Sequence, residues 1–323
     1  MSISRRRFLE SAAITPVAAQ AAESGKSALP LRTLGKTGAR VTCLAFGGGS
    51  RFLAYKEEDK ALDALNRALD LGITYVDTAN NYGNGVSEER VGKVLKHRRK
   101  GIWLATKITV RDYDGAMKNI DAAMKRLQTD QVDLMHIHGL GDADDLAKIE
   151  APNGLLKALY KVRDQKITRF IGVTCHADPS VLKTALERHD FDCTQMALNA
   201  ARAGAVSGKG AMLMGDSRGP NSFEALALPV ALRKKMGVTA MKVFAQEGLI
   251  GKGPIEKFMQ YSLSLPVASC VVGMPKLEFI DANVQMAKSL QPMPKSEMRS
   301  FADEIAGKNK VALDRFFSAH VDA

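Results

Sequence analysis

Residues 73–82 read Ile73-Thr74-Tyr75-Val76-Asp77-Thr78-Ala79-Asn80-Asn81-Tyr82. The first four are β-branched or aromatic, side chains that suit a pleated, packed surface. Asp77 stands where the apolar run stops, and Tyr82 follows in a loop of Asn and Gly. The stretch therefore reads as a buried strand that ends in a carboxylate and is followed by a phenol.

The pattern recurs on both sides, and that recurrence decides the fold. Upstream, a strand over 41–47 precedes a helix over 57–71, in which Ala61, Leu62, Leu65, Ala68 and Leu69 fall at helical spacing. Downstream, a helix over 87–97 opens on Ser87 as N-cap, with Glu88 and Glu89 favouring the positive end of its dipole. Strand 102–108 then precedes helix 113–127, strand 132–138 precedes helix 154–165, and strand 170–175 precedes helix 179–188. Strand 193–198 leads into a Gly-rich, poorly patterned stretch over 199–222. Helix 223–236, strand 238–244, helix 254–265, strand 267–272 and helix 278–290 complete the alternation, and an amphipathic helix over 295–307 follows.

Short apolar strands alternating with striped helices imply parallel βαβ units. Eight of them make a (β/α)8 TIM barrel, here with an N-terminal β-hairpin over 30–41 and an extra C-terminal helix. An open doubly wound sheet would also alternate. However, no GxGxxG follows the first strand, and Gly47-Gly48-Gly49 lacks the spacing to cradle a pyrophosphate. The GKT at 35–37 lacks the upstream glycine of a phosphate loop.

Composition narrows the function. The chain has 323 residues, 46% of them hydrophobic, which is enough for one large core or two smaller ones. The net charge of +11 is spread along the chain, and aromatics are 6% and stand apart from the basic clusters at 96–100 and 233–235. A nucleic-acid face would interleave the two, so no nucleic-acid partner is expected; a mild positive bias suits an anionic small ligand. The four cysteines are Cys43, Cys175, Cys193 and Cys270; they lie far apart in apolar runs and read as buried thiols.

The N-terminus carries Ser4-Arg5-Arg6-Arg7-Phe8-Leu9, which resembles a twin-arginine (Tat) export signal, followed by a weakly apolar run ending in small residues. We read 1–21 as that signal peptide, 22–30 as a linker and 31–323 as the barrel. The expected partner is then the Tat export machinery and the expected location periplasmic, or cytoplasmic if the signal is unused. No apolar run is long enough for a stable membrane span.

In a barrel of this kind the pocket lies at the C-terminal ends of the strands. Asp77 closes the second strand, Lys107 the third and His138 the fourth, with Tyr82 in the loop after the second. Each has a plain alternative: a turn former, an exposed lysine, a packed core histidine, a surface tyrosine. As a set they suit carbonyl reduction. A phenol with an ordinary pKa near about 10 is a poor proton relay at neutral pH. A neighbouring Lys⁺ stabilises the phenolate, a buried Asp keeps the Lys charged, and a neutral His donates a hydrogen bond to the substrate oxygen. No metal is needed.

The chain also resembles the aldo-keto reductases over nearly all of residues 31–290. The likeness is carried by LGKTGARV at 34–41, GITYVDTANNYGNGVSEERVG at 72–92, LATK at 104–107, VDLMHIHG at 132–139, IGVTCH at 171–176, Gln195 and VVGMPKLEFIDANV at 271–284. The resemblance implies an NAD(P)H-dependent oxidoreductase acting on a small aldehyde or ketone. Tyr82 would be the general acid, tuned by Lys107 and Asp77, with His138 orienting the substrate. Aligning Asp133 puts His138, not His136, in that place, and period two puts His136 one layer deeper in the barrel.

For the nicotinamide cofactor, the resemblance implies Thr174 and Gln195 at the carboxamide. Gly273, Met274 and Lys276 would lie at the phosphates and Asn283 at the adenine. Lys276 favours NADP(H) over NAD(H). This chain departs from many members in having Thr174-Cys175 for Ser-Asn, Met241 for an aromatic, and Phe279 for Arg or Gln.

Two rivals remain. One is a metal-dependent hydrolase built on His136-x-His138 and His176, although the further His and Asp it needs are absent from the last strand. The other is a sensor or low-turnover binding protein that keeps the barrel and the cofactor.

Overall fold

The computed structural model describes residues 28–203 and 222–318. The expected signal at 1–21, most of the linker at 22–30 and most of the 199–222 stretch lie outside the described residues. Two short strands, β1 (Leu31–Thr33) and β2 (Arg40–Thr42), form an antiparallel hairpin in which Leu31 faces Thr42. The barrel strands follow: β3 (Leu44–Gly47), β4 (Tyr75–Asp77), β5 (Trp103–Ile108) and β6 (Val132–Ile137), then β7 (Thr168–Cys175), β8 (Cys193–Ala197), β9 (Gly237–Met241) and β10 (Ser269–Val272).

These eight strands close into a barrel of parallel neighbours, sealed where Phe46 of β3 meets Val272 of β10. Strands β5 and β6 are buried at every residue, which is why their sequences read as largely apolar runs broken by Thr106, Lys107, Asp133 and His136.

The helices are α1 (Ser50–Leu53), α2 (Glu58–Asp70), α3 (Val86–Arg98), α4 (Tyr113–Leu127), α5 (Ala143–Glu150) and α6 (Leu155–Asp164). They continue with α7 (Pro179–Arg188), α8 (Phe223–Leu226), α9 (Leu228–Arg233), α10 (Ile255–Ser264), α11 (Leu277–Ser289) and α12 (Lys295–Ser318). The larger apolar core fills the layer between helices and sheet. A second cluster plugs the barrel's N-terminal end, where Leu34 and Val41 of the hairpin pack with Ala45, Tyr75, Trp103 and Leu134. Gly35 is required there, because a Cβ would lie 2.3 Å from the Gly237 backbone nitrogen.

The barrel and hairpin are as the sequence implies, and several boundaries are not. Val41 belongs to the hairpin rather than to the first barrel strand. The helix expected over 87–97 begins at Val86 with Gly85 as N-cap. The Ser87 hydroxyl instead donates to the Gly48 carbonyl at 2.7 Å and pairs with Thr78 Oγ1 at 2.8 Å, tying the helix to the sheet.

The helix expected over 223–236 is two pieces, and Pro229 stands in the first turn of the second, where a missing N–H costs nothing. The last helix runs on past Gly307 to Ser318, because Ala302, Ile305, Ala306, Leu313 and Phe317 continue one buried stripe. That stripe outweighs the roughly 1 kcal/mol a glycine costs inside a helix. Helix α5 was not expected; Asp142 caps it by accepting from the Asp145 amide at 2.9 Å.

Among the described residues no helix is long and apolar enough to cross a membrane. All four cysteines are free and buried.

Candidate active site

The site is assembled at the C-terminal ends of β4, β5 and β6. Asp77 ends β4 and points inward with its side chain 3% exposed; Lys107, next to last in β5, is 1% exposed. The Lys107 ammonium donates to Asp77 Oδ1 at 2.5 Å, to the Thr78 carbonyl at 2.8 Å and to Tyr82 Oη at 3.3 Å. Burying a side chain of this kind is costly unless its polar end has such partners. Gln195 of β8 donates to the other Asp77 oxygen at 3.4 Å.

Tyr82 is delivered by a tight turn after β4. Gly83 and Gly85 both take left-handed backbone there (φ +59° and +96°), a conformation that favours glycine. The Tyr82 ring rests against Gly49, where even a methyl group would sit 3.5 Å from the ring. The His138 ring meets the Tyr82 ring edge-on at 5.4 Å between centroids. The four residues the sequence put at successive strand ends thus converge.

One layer down, His136 is fully buried and faces Lys107 across the β5–β6 ladder. Burial holds its imidazole far below the ordinary histidine value, and the charges of Lys107 and His138 push the same way, so it is neutral. Gly172 makes room for it: a Cβ there would lie 2.5 Å from His136 Nδ1. Among the described residues no group of three His, Cys, Asp or Glu side chains is placed to hold a metal ion.

Beside the tetrad opens a cavity of about 610 Å³, the size of a cofactor cleft. It runs from Asp77, Tyr82 and Gln195 past Gly273 to Asn283 and Met286. Of the other residues expected to face a cofactor, Met274 packs into the apolar core. Lys276 caps α11 and lies 5.8 Å from the Phe279 ring, which itself lines the cavity and is 46% exposed. The Thr174 hydroxyl accepts from the Gly139 amide at 2.8 Å, so it braces the loop after β6. Met241 lines the cavity, and Phe244, three residues on, lines it too.

The strand expected to run to 244 ends at Met241, and residues 242–250 beyond it line the cavity in a conformation that no sequence signal announced. Lys242, Ala245, Gln246 and Glu247 all have positive φ (+58°, +48°, +54° and +74°) although none is glycine. Such strain gathers at ligand clamps, and consecutive amides in this conformation form concavities suited to anions. Across the cavity Arg51 of α1 pairs with Glu247 at 3.0 Å. A Cβ on Gly273 would strike the Arg51 side chain at 2.7 Å, so Arg51 lies directly over that glycine.

A closed (β/α)8 barrel with a buried Asp–Lys pair under a mouth tyrosine is matched by a known sequence family. The chain belongs to the aldo/keto reductase family, whose model matches residues 44–207. It is 36% identical over 161 residues to L-galactose dehydrogenase of Arabidopsis thaliana, an alignment covering 45% of this chain and 48% of that protein. The chain thus spans about half the length of that relative. It is 26% identical over 283 residues to the uncharacterized oxidoreductase YqkF of Bacillus subtilis, covering 72% of this chain and 84% of that one.

Among solved structures, an aldo-keto reductase of Bacillus halodurans in its holo form superposes with a TM-score of 0.69 at 24% identity, over 85% of this chain and 96% of that one. An aldo-keto reductase of Klebsiella pneumoniae in complex with NADPH superposes with a TM-score of 0.65 at 19% identity, over 90% and 96%. Both likenesses show the fold.

Proposed function

We propose that the protein is an NAD(P)H-dependent oxidoreductase that reduces an aldehyde or ketone to an alcohol, with Tyr82 as general acid. The observation that carries the reading is Lys107, buried and shared between Asp77 at 2.5 Å and Tyr82 Oη at 3.3 Å beside a cofactor-sized cavity. Reduction adds hydride to the carbonyl carbon and a proton to its oxygen. When bound, the reduced nicotinamide supplies the hydride.

The protein's residues do the rest. Tyr82 Oη releases its proton to the carbonyl oxygen, and the resulting phenolate is stabilised by the Lys107 ammonium. Asp77 fixes that ammonium under the phenol. The His138 imidazole donates a hydrogen bond to the same carbonyl oxygen and so orients it.

The cavity fits a dinucleotide. Gln195 stands at the tetrad end for the carboxamide, Gly273 and the left-handed turn at 245–247 in the middle for the phosphates, and Asn283 at the far end for the adenine. The cations Arg51 and Lys242 in its lining suit the phosphate charge. Lys276, beside Phe279 at the adenine end, supports NADP(H) over NAD(H) through attraction to a 2′-phosphate. The Klebsiella pneumoniae relative was solved with NADPH, which accords with that choice.

The test is direct. Purified protein is titrated with NADPH by cofactor fluorescence, then offered a panel of aldehydes and ketones. Binding and consumption are expected, and Tyr82→Phe should retain binding while losing at least about 100-fold in kcat. No cofactor binding would overturn the reading. Binding without turnover would make the protein a sensor on the same barrel.

We also propose that residues 1–21 direct export through the Tat machinery to the periplasm. The support is the sequence SRRRFL at 4–9. Replacing Arg5 and Arg6 together by Lys should retain the protein in the cytoplasm; unchanged fractionation would refute this.

A further inference from the structure

Strand β6 ends at Ile137, so His138 and the residues after it lie beyond the last ladder rung. Their backbone polar groups are nevertheless held. The His138 amide donates to the Ile108 carbonyl at 3.0 Å, the Gly139 amide to Thr174 Oγ1 at 2.8 Å, and the Leu140 amide to the Thr174 carbonyl at 2.8 Å. The Leu140 carbonyl accepts from Cys175 Sγ at 3.1 Å. The carbonyls of His138 and Gly139 remain, and one side chain takes both: Arg111 Nη2 donates to them at 2.9 and 3.1 Å.

That guanidinium is itself fixed. Asp145, in the first turn of α5, accepts from Arg111 Nε at 2.8 Å and from Nη2 at 2.9 Å. The same carboxylate accepts from the Gly141 amide at 3.0 Å. The Arg111 backbone is anchored too, since its carbonyl accepts from the Leu155 amide at 2.7 Å. A planar, bidentate fork with a donor left over for two carbonyls is a task for arginine; a lysine ammonium is one point and cannot span it. Gly139 turns the chain at φ +59°.

We propose that Arg111, locked by Asp145, is a positioning residue for His138: it fixes the backbone turn that aims the imidazole at the substrate oxygen. The proposal rests on the carbonyl-reductase reading for its kinetic consequence. The clamp also gives a function to the Thr174-Cys175 pair, both of whose side chains here hold the loop that follows His138. A loop that loses the clamp lets the imidazole drift, and a misplacement of about 1 Å costs on the order of 100-fold in rate.

The experiment compares wild type with Arg111→Lys and Asp145→Asn. Arg111→Lys should lower kcat for carbonyl reduction by about 10- to 100-fold and raise the carbonyl KM, while NADPH affinity stays within about twofold. Asp145→Asn, which keeps the guanidinium bonds to both carbonyls, should fall between. A second readout uses protein labelled with ¹⁵N-histidine, with His138 assigned through His138→Asn. The His138 ring signals should move in both variants while those of His97, on α3, stay.

A kcat within twofold of wild type in Arg111→Lys, or unmoved His138 signals, overturns the proposal. Should Arg111→Lys fail to fold, Asp145→Asn decides by the same criteria. Wild-type protein that binds NADPH and reduces no carbonyl would refute the functional reading instead, and the imidazole signals would still decide the clamp.

Discussion

Replacing Lys107 by Met removes one half of an ion pair whose two side chains are 1% and 3% exposed. Met fills nearly the same volume, so packing changes little. What changes is the fate of Asp77, which keeps the Gln195 amide at 3.4 Å but loses an ammonium at 2.5 Å. The Thr78 carbonyl and Tyr82 Oη lose the same donor. Breaking a buried pair from one side costs about 3–5 kcal/mol, against a few tenths for an exposed one. For a domain of this size that is a fall in Tm of about 5–8 °C.

The assay is urea unfolding at neutral pH for wild type, Lys107→Met, Asp77→Asn and the double variant. Removing both charges leaves no uncompensated ion, so the double variant should be more stable than the summed single losses imply, by about 2 kcal/mol or more. A single loss below about 1 kcal/mol, or additivity within about 0.5 kcal/mol, would show that water reaches the pair and would refute the buried-pair argument. All three variants should bind NADPH and lose carbonyl reduction.

Three further outcomes follow from the geometry. Gly172→Ala places a methyl group 2.5 Å from His136 Nδ1 and 2.6 Å from the Cys193 carbonyl, and the latter is backbone; a loss of about 3 kcal/mol in urea unfolding is expected, and wild-type stability would mean that His136 can move. Glu247→Gln breaks the 3.0 Å pair to Arg51 across the cavity; both partners are partly exposed, so stability should change by under about 1 kcal/mol. The NADPH off-rate in stopped-flow fluorescence should nonetheless rise several-fold, and an unchanged rate removes the pair from any role in retention. Burial pushes the Glu150 carboxyl up, but hydrogen bonds from His189 and Arg188, with the Arg188 charge, outweigh it and hold the group below its ordinary value. A depressed carboxyl stabilises the fold above its unfolded value, near about 4.3, and that contribution disappears as pH falls through the folded value; Glu150→Gln should flatten the stability profile below about pH 5, and an unchanged slope would count against the pairing.

Much of the architecture was legible because burial on both faces writes itself into composition. Trp103–Ile108 and Val132–Ile137 are largely apolar, so Lys107 stood out against its strand, and His138 just past the end of its own. Asp77 and Tyr82 were legible for the same reason. Helix α5 was not, since eight residues with two buried apolar side chains, Leu146 and Ile149, make no stripe. The extension of α12 was masked by Gly307, whose local cost is offset by contacts made elsewhere in the fold.

The turn at 242–247 was invisible for a different reason. Left-handed backbone is usually announced by glycine, and here Lys, Ala, Gln and Glu adopt it. Pairings such as Arg51 with Glu247, or Arg111 with the carbonyls after β6, depend on which loops the closed barrel brings together. No local window contains them.

The hairpin that plugs the barrel has a temporal side. It is encoded before any barrel strand, yet the backbone of Gly35 seats against Met236 and Gly237, and the Lys36 amide donates to the Lys235 carbonyl. Those partners are synthesised only after six of the eight barrel strands. Until then Leu34 and Val41 have no completed floor to enter, and the inner ends of Tyr75 and Trp103 face water. Closing the base is therefore bound to arrive late, close in time to the β3–β10 seam, so that the first of the described strands is among the last to find its place.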